Sequence, residues 1–182
     1  VEQSGWGQPT PNIRMTSLVT GSSGFIGSHL ARHLASLGHD VVAISRETTD
    51  ILDAAAVAKL VAERKPDWIF HLAALSLPSV SWNQPARTFD VNVCGTINLF
   101  EAVRASGLNP VIVAFCSSSE YAVKATPIAE DDPMGPISPY AISKLAQDHL
   151  VRLYAERYKL CVVRVRPFFI TGPGKVGDVC SD

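Results

Sequence analysis

Apolar positions along this chain come in two textures, short unbroken runs and longer stretches where they recur every three or four residues. Leu18-Val19-Thr20 forms the first run, and Ile26, Leu30, Leu34 and Leu37 then recur at helical spacing until Gly38 supplies a stop. Val41-Val42-Ala43-Ile44-Ser45 is an apolar run closed by a serine, as in a strand buried on both faces. Asp53 stands as a helix cap before Val57, Leu60 and Val61. Pro66-Asp67 breaks that helix, and residues 68–72 read as the next strand. Pro85 fits the first turn of one long helix carrying Phe89, Val93, Ile97, Phe100 and Val103 as far as Gly107. Residues 111–115 are another strand, followed by a serine cluster and a proline-rich loop. Pro139 opens a helix running to about Lys159, and residues 160–166 form a strand that stops at Pro167.

Strands alternating with helices predict an α/β, Rossmann-like, doubly wound parallel sheet with helices on both faces. One interval is short for that plan. Between Ser45 and Asp53 a loop and a further strand are expected, and only residues 46–52 are available. Thr49-Asp50-Ile51 is the candidate for a very short strand, unless residues are missing there. Residues 1–16, rich in Gly, Gln, Pro and Asn, read as a flexible leader.

The 182 residues suffice for one core, and the net charge of −1, with both signs interspersed, argues against nucleic-acid or anionic-membrane partners. No apolar run is long enough to span a bilayer and no secretory leader opens the chain, so a cytoplasmic location is expected. Cys94, Cys116, Cys161 and Cys180 are scattered, three of them in apolar surroundings, which favours buried reduced thiols over a disulfide framework or zinc site. The five histidines show no metal-ligand spacing, so no metal is expected.

Gly21-Ser22-Ser23-Gly24-Phe25-Ile26-Gly27 lies between the first strand and the first helix. In a dinucleotide site the first glycine allows a sharp turn, the second a close approach to the pyrophosphate, and the third close packing of the helix. The N-terminal amides of that helix face the phosphates. At the end of the second strand Ser45-Arg46 offers an arginine rather than a carboxylate, which favours NADP(H) over NAD(H), with Glu47 one residue further on.

Tyr140 and Lys144 form Y-x-x-x-K, one helical turn apart on one face. An ammonium beside a phenol lowers the phenol's pKa and fits it for proton transfer to a carbonyl or from an alcohol. Ser117, Ser118 and Ser119 follow a strand at the carboxyl end, where such sheets bind ligands, and a serine there can hold a carbonyl oxygen. A serine-rich strand end equally well caps backbone groups.

On these residues the chain resembles the extended short-chain dehydrogenases/reductases that modify nucleotide sugars. The glycine turn, His71-Leu72-Ala73-Ala74, Asn92 within Val91-Asn92-Val93-Cys94-Gly95-Thr96, the Tyr140/Lys144 pair, Arg166-Pro167-Phe168 and Gly172-Pro173-Gly174 carry the likeness. It is nearest the GDP-4-keto-6-deoxy-D-mannose reductases, then the GDP-mannose 4,6-dehydratases. The resemblance implies that Lys144 also holds the nicotinamide ribose, that Asp50 and Ile51 lie at the adenine, that Leu72, Ala73, Ala74 and Asn92 line the cofactor, and that Ser117 or Ser118 meets the sugar carbonyl. It also implies an NAD(P)-binding domain over residues 17–174 and the opening of a substrate domain over residues 175–182.

Three departures stand out. The position of the dehydratases' catalytic glutamate holds Ser119, with Glu120 displaced by one; Phe169 replaces a usual asparagine; and the sequence stops at Asp182, where the substrate domain is expected to start. The expected activity is therefore reduction of a GDP-linked 4-keto sugar with Tyr140 as proton donor. The alternatives are a 4,6-dehydratase using Glu120 as the extra acid/base, and a dinucleotide-binding module without turnover. Two apolar-rich helices, at about residues 85–106 and 139–159, point to a homodimer.

Overall fold

The structure is a computed structural model and describes residues 14–175. Five parallel strands, β1 (Thr16–Thr20), β2 (Asp40–Ile44), β3 (Trp68–His71), β4 (Val111–Phe115) and β5 (Val162–Val165), lie in the order β2-β1-β3-β4-β5. The chain steps outward from β1 to β2, then crosses back over β1 to β3. That reversal creates a crevice between the carboxyl ends of β1 and β3, the place where open α/β sheets bind ligands.

Right-handed crossovers in opposite directions put helices on opposite faces. Helix α1 (Phe25–Ser36) follows β1; α2 (Ala54–Arg64), α5 (Gly95–Ser106) and α6 (Pro139–Tyr158) join the later strands. Leu18, Val42, Ile44, Ile69, Ile112 and Ala114 meet Val57 and Val61 of α2, Leu99, Phe100 and Val103 of α5 and Val151 of α6 in one core. Burial alternates along β3 and β4, so their second face is only half covered, whereas β1, between β2 and β3, has Leu18 and Val19 both buried.

The punctuation residues act as expected. Asp53 caps α2 through Ala56 N at 2.9 Å, Pro85 and Pro139 open helices, and Gly38 and Gly107 hold positive φ at helix ends. The structure departs from expectation in four places. Residues 46–52 form turns and no strand, because the Ser45 carbonyl accepts from both Thr48 N and Thr49 N and curls the chain at once toward α2. The single long helix is three segments, α4 (Pro85–Phe89), a π-helical turn over Asp90–Cys94, and α5, preceded by a short α3 (Pro78–Asn83). Leu37 is about half exposed, lying past the last turn of α1. Of the described cysteines only Cys116 is buried, while Cys94 and Cys161 are exposed; Cys180 and most of the leader lie outside the described residues.

Candidate active site

The glycine turn shapes the crevice. Gly21 has φ +68°, and a Cβ there would fall 2.8 Å from Ala73 N and 2.9 Å from the Leu72 carbonyl, so the ends of β1 and β3 meet only because it is glycine. A Cβ on Gly27 would fall 2.2 Å from Gly21 O, so α1 abuts the turn itself. Above Gly24 a Cβ would meet nothing within 4 Å except Gly21 O, at 3.2 Å. Gly24 is also the N-cap of α1 and no side chain caps that helix, leaving its first amides to an anionic ligand. This open cradle fits a dinucleotide pyrophosphate. Ser23 and Gly24 are exposed, and Phe25 and Ile26 half-buried, at its rim.

Ser22 N and its hydroxyl both donate to the Ile44 carbonyl at 3.0 Å, which brings the end of β2 beside the turn. Arg46 there is exposed and pairs with Glu47 at 3.8 Å, while Ser45 Oγ donates to Glu47 Oε2 at 2.7 Å and holds that carboxyl below its usual range. Asp50 is half-buried, with Oδ1 accepting from Leu52 N. Ile51 is buried in the core; a Cβ on Gly95 would meet its Cγ2 at 2.8 Å. Leu72, Ala73 and Ala74 are half-buried along the crevice.

A buried chain of hydrogen bonds runs from this crevice to α6. Leu72 N and Ala73 N donate to Thr20 Oγ1 at 3.1 and 3.0 Å, and Thr20 Oγ1 lies 3.0 Å from His71 Nδ1. His71 Nε2 lies 2.8 Å from Thr96 Oγ1, whose proton goes to the Asn92 carbonyl at 2.7 Å. Thr96 therefore accepts from Nε2–H, and the bare Nδ1 accepts from the Thr20 hydroxyl. Burial, with the Lys144 charge adding to it, pushes the His71 pKa down to about 3, so the ring is neutral. Asn92, in the π-helical turn, accepts from Leu75 N at 2.8 Å and donates to Leu75 O at 3.2 Å and to Ser143 Oγ at 2.9 Å. Ser143 in turn donates to the Tyr140 carbonyl at 2.7 Å. From the other side Ser81 Oγ accepts from Tyr140 N at 3.1 Å. The backbone of Tyr140 is thus fixed at both its N–H and its C=O.

Tyr140, Ser143, Lys144, Gln147, Asp148 and Val151 are buried on one face of α6, a mostly polar stripe directed inward. The Ser117 hydroxyl acts on the Tyr140 phenol and lowers its pKa, while burial raises it more, so the phenol stands above its usual value. The sequence-based expectation that Lys144 acidifies Tyr140 is not met in this state. The Lys144 ammonium instead donates to the Phe115 carbonyl at 2.5 Å and to Gln147 Oε1 at 2.6 Å, and burial lowers its own pKa to about 8.

Ser117, two residues past β4, caps the 3₁₀ turn Ser118–Glu120, with its Oγ accepting from Ser119 N at 3.1 Å. Ser118 is half-buried and donates its N–H to the Pro167 carbonyl at 3.1 Å. Glu120 is fully buried beneath the turn, with Oε1 on Ser117 N at 2.7 Å. Arg166 binds Asp148 through both Nε and Nη2, and Arg164 binds it at 2.9 Å. Phe169 is largely exposed. Sequence reasoning gave no individual role to Ser81, Thr20 and Thr96, although all three lie in stretches it read, and none to Ser143, Gln147 and Asp148. Those on α6 left a spacing signal, since positions 143, 147 and 148 fall on the face already marked by 140 and 144.

A glycine turn at a sheet's switch point, with a buried serine, tyrosine and lysine past the carboxyl end of β4, defines a Rossmann-like, NAD(P)-binding type of domain. The profile of the NAD dependent epimerase/dehydratase family matches residues 17–181, and the chain belongs to that family. It is 37% identical to UDP-glucose 4-epimerase of Mycolicibacterium smegmatis over 180 residues, covering 87% of this chain and 57% of that one. It is 35% identical to GDP-6-deoxy-D-mannose reductase of Pseudomonas aeruginosa over 162 residues, covering 86% and 53%. The structure of RMD from Pseudomonas aeruginosa complexed with NADPH superposes with a TM-score of 0.80 at 32% identity, covering 90% of this chain and 55% of that one. The chain spans about half the length of the curated relatives it matches.

Proposed function

We propose that this chain carries the cofactor-binding and proton-transfer half of a nucleotide-sugar oxidoreductase, an NADP(H)-dependent reductase of a GDP-linked 4-keto-6-deoxy sugar. The observation that carries the reading is the convergence of Ser117, Tyr140 and Lys144 in one buried group at the carboxyl end of β4, beside an open phosphate cradle. The cofactor unit spans residues 17–174, with Gly21, Ser23, Gly24, Phe25, Ile26 and Gly27 holding the pyrophosphate and Asp50 and Ile51 flanking the adenine through their backbone. The substrate's nucleotide is held by chain that follows this unit.

When bound, the nicotinamide supplies the hydride. Ser117 donates to the sugar carbonyl oxygen, Tyr140 delivers the proton to it, and Lys144 steadies the developing charge. Arg46, exposed at the end of β2, supports a 2′-phosphate and hence NADP(H). The same three residues also serve epimerisation at C4, and the Glu47 carboxylate held beside β2 supports that second reading with NAD(H), as a UDP-sugar epimerase. A dehydratase needs another proton-transfer group, and buried Glu120 does not favour it. A homodimer pairs through α5 and α6, where Leu153 and Tyr158 are about half exposed, and monomer alone in sedimentation at micromolar concentration contradicts that pairing.

The test uses the full natural chain carrying this sequence, purified and supplied with NADPH and GDP-4-keto-6-deoxymannose, or separately with NAD+ and UDP-glucose. Gain of two hydrogens in the GDP-sugar supports the reductase. Conversion of UDP-glucose without net reduction supports the second reading, and no change in either sugar refutes both. Arg46→Ala weakens NADPH by about tenfold, the order of a single charge-assisted contact, and leaves NADH unchanged.

A further inference from the structure

Glu120 is a fully buried carboxylate that the proton-transfer scheme does not use. Its geometry is reciprocal with Ser117. Ser117 N donates to Glu120 Oε1 at 2.7 Å, while Ser117 Oγ accepts from Ser119 N at 3.1 Å. Together these close a capping box over the 3₁₀ turn. The arrangement fixes the serine twice, at its backbone and at its side-chain oxygen. The oxygen's lone pair is taken by a backbone N–H, so its proton is left to be donated outward, and an accepting hydroxyl is the stronger donor. The other carboxylate oxygen, Oε2, lies 3.3 Å from Arg166 Nε without hydrogen-bond alignment, and it has no other polar partner. Arg166 is itself anchored by Asp148 and by Tyr121, whose hydroxyl takes Nη1 at 2.8 Å and whose ring lies 5.2 Å beneath the guanidinium.

We propose that Glu120 is a positioning residue that sets the donor geometry of Ser117 toward the sugar oxygen and is not itself a proton-transfer group. The inference rests on the reading of Ser117 as the carbonyl-binding serine. Arg166 connects this device to α6, because the same guanidinium faces both Glu120 and Asp148. Asp148, Lys144 and Tyr140 on α6, Arg166 after β5, and Cys116 at the end of β4 surround the carboxylate. Burial, with Asp148 adding to it, pushes the Glu120 pKa up to about 7, against the pull of Ser117 N–H, Arg166 and Lys144. Loss of the charge on Glu120 removes the ion pair and weakens the bond to Ser117 N–H, so the positioning fades as pH falls through 7.

The experiment is a double-mutant cycle in the full natural chain, with Ser117→Ala, Glu120→Ala, the combination, and Glu120→Gln. Turnover of whichever nucleotide sugar is converted is followed from pH 5.5 to 9, alongside melting temperature and cofactor binding. Glu120→Ala lowers kcat about tenfold, the scale of one lost cap, with KM and cofactor affinity within twofold. In the Ser117→Ala background the same change has no further effect on kcat. Glu120→Gln keeps an acceptor for Ser117 N–H but, like the protonated carboxyl, carries no charge, so its kcat falls between wild type and Glu120→Ala and shows no acidic limb near pH 7. Additive effects of Ser117→Ala and Glu120→Ala overturn the proposal. An inactive but folded, cofactor-binding Glu120→Gln overturns it too, since it makes the carboxyl the proton-transfer group. If Glu120→Ala does not fold, Glu120→Gln decides. A Ser117→Ala protein with full activity refutes the reading of Ser117 instead.

Discussion

Replacing Asn92 by alanine tests the buried wire that joins the crevice to Tyr140. Asn92 is fully buried, and its amide makes three hydrogen bonds, to Leu75 N, Leu75 O and Ser143 Oγ. Alanine leaves all three partners without it. Leu75 is only half-buried, so water can satisfy part of its loss, whereas Ser143 is sealed. A buried group left unsatisfied costs about 1–3 kcal/mol, so the sealed Ser143 hydroxyl together with the partly hydrated Leu75 groups puts the destabilisation at about 2–4 kcal/mol. For a domain of this size each kcal/mol moves Tm by about 2–4 °C, which makes the expected fall about 5–15 °C. Ser143 also loses its hold beneath the Tyr140 carbonyl, so kcat falls while cofactor affinity drops less. Thermal and denaturant unfolding of wild type and Asn92→Ala, with turnover alongside, measure both effects. A change under 1 kcal/mol with normal kcat would mean that the wire is incidental to both stability and the site.

Three further outcomes follow from the same geometry. Gly27→Ala places a methyl group 2.2 Å from the Gly21 carbonyl, a backbone atom, so cofactor binding measured by calorimetry is lost and stability drops by about 1–3 kcal/mol or more; an unaffected Kd refutes the packing argument. Tyr140→Phe keeps cofactor affinity and loses about 10²–10⁴ in turnover, and near-normal turnover removes Tyr140 from the reaction. His71, neutral with its folded pKa depressed to about 3 from 6.5, contributes stability that is present above pH 6.5 and lost as pH falls toward 3. Between pH 7 and pH 5 that loss is about 2 kcal/mol, and an imidazole ¹⁵N titration showing His71 protonated at pH 6 in the folded protein contradicts it.

The parts legible in the sequence were those governed by local rules. The strands, the cap at Asp53, the helix start at Pro139, and the glycine turn each follow from a short pattern that tertiary packing did not override. In the 46–52 interval neither the very short strand at Thr49-Asp50-Ile51 nor missing residues are needed, because two turn hydrogen bonds to the Ser45 carbonyl suffice. The π-helical turn left no trace in the apolar spacing of residues 85–106, since Phe89, Val93 and Ile97 keep helical intervals through it. Tyr140 and Lys144 were found by their spacing, but not the direction of the ammonium. That direction depends on Gln147 and on a strand carbonyl, Phe115 O, contributed from 29 residues away. The roles of Thr20, His71, Thr96 and Ser81 were invisible for the same reason, being contacts between elements 25 to 59 residues apart.

The central claim is that Ser117, Tyr140 and Lys144 serve hydride and proton transfer at the sugar's C4. Turnover of GDP-4-keto-6-deoxymannose by the full natural chain with 4-deuterated NADPH, of the stereochemistry that transfers, tests it most directly when the product is read by NMR. The account predicts one deuterium at C4 of the sugar, and none when Tyr140→Phe is assayed for the same time. Deuterium at another carbon, its absence from a reduced product, or equal incorporation by Tyr140→Phe would contradict it.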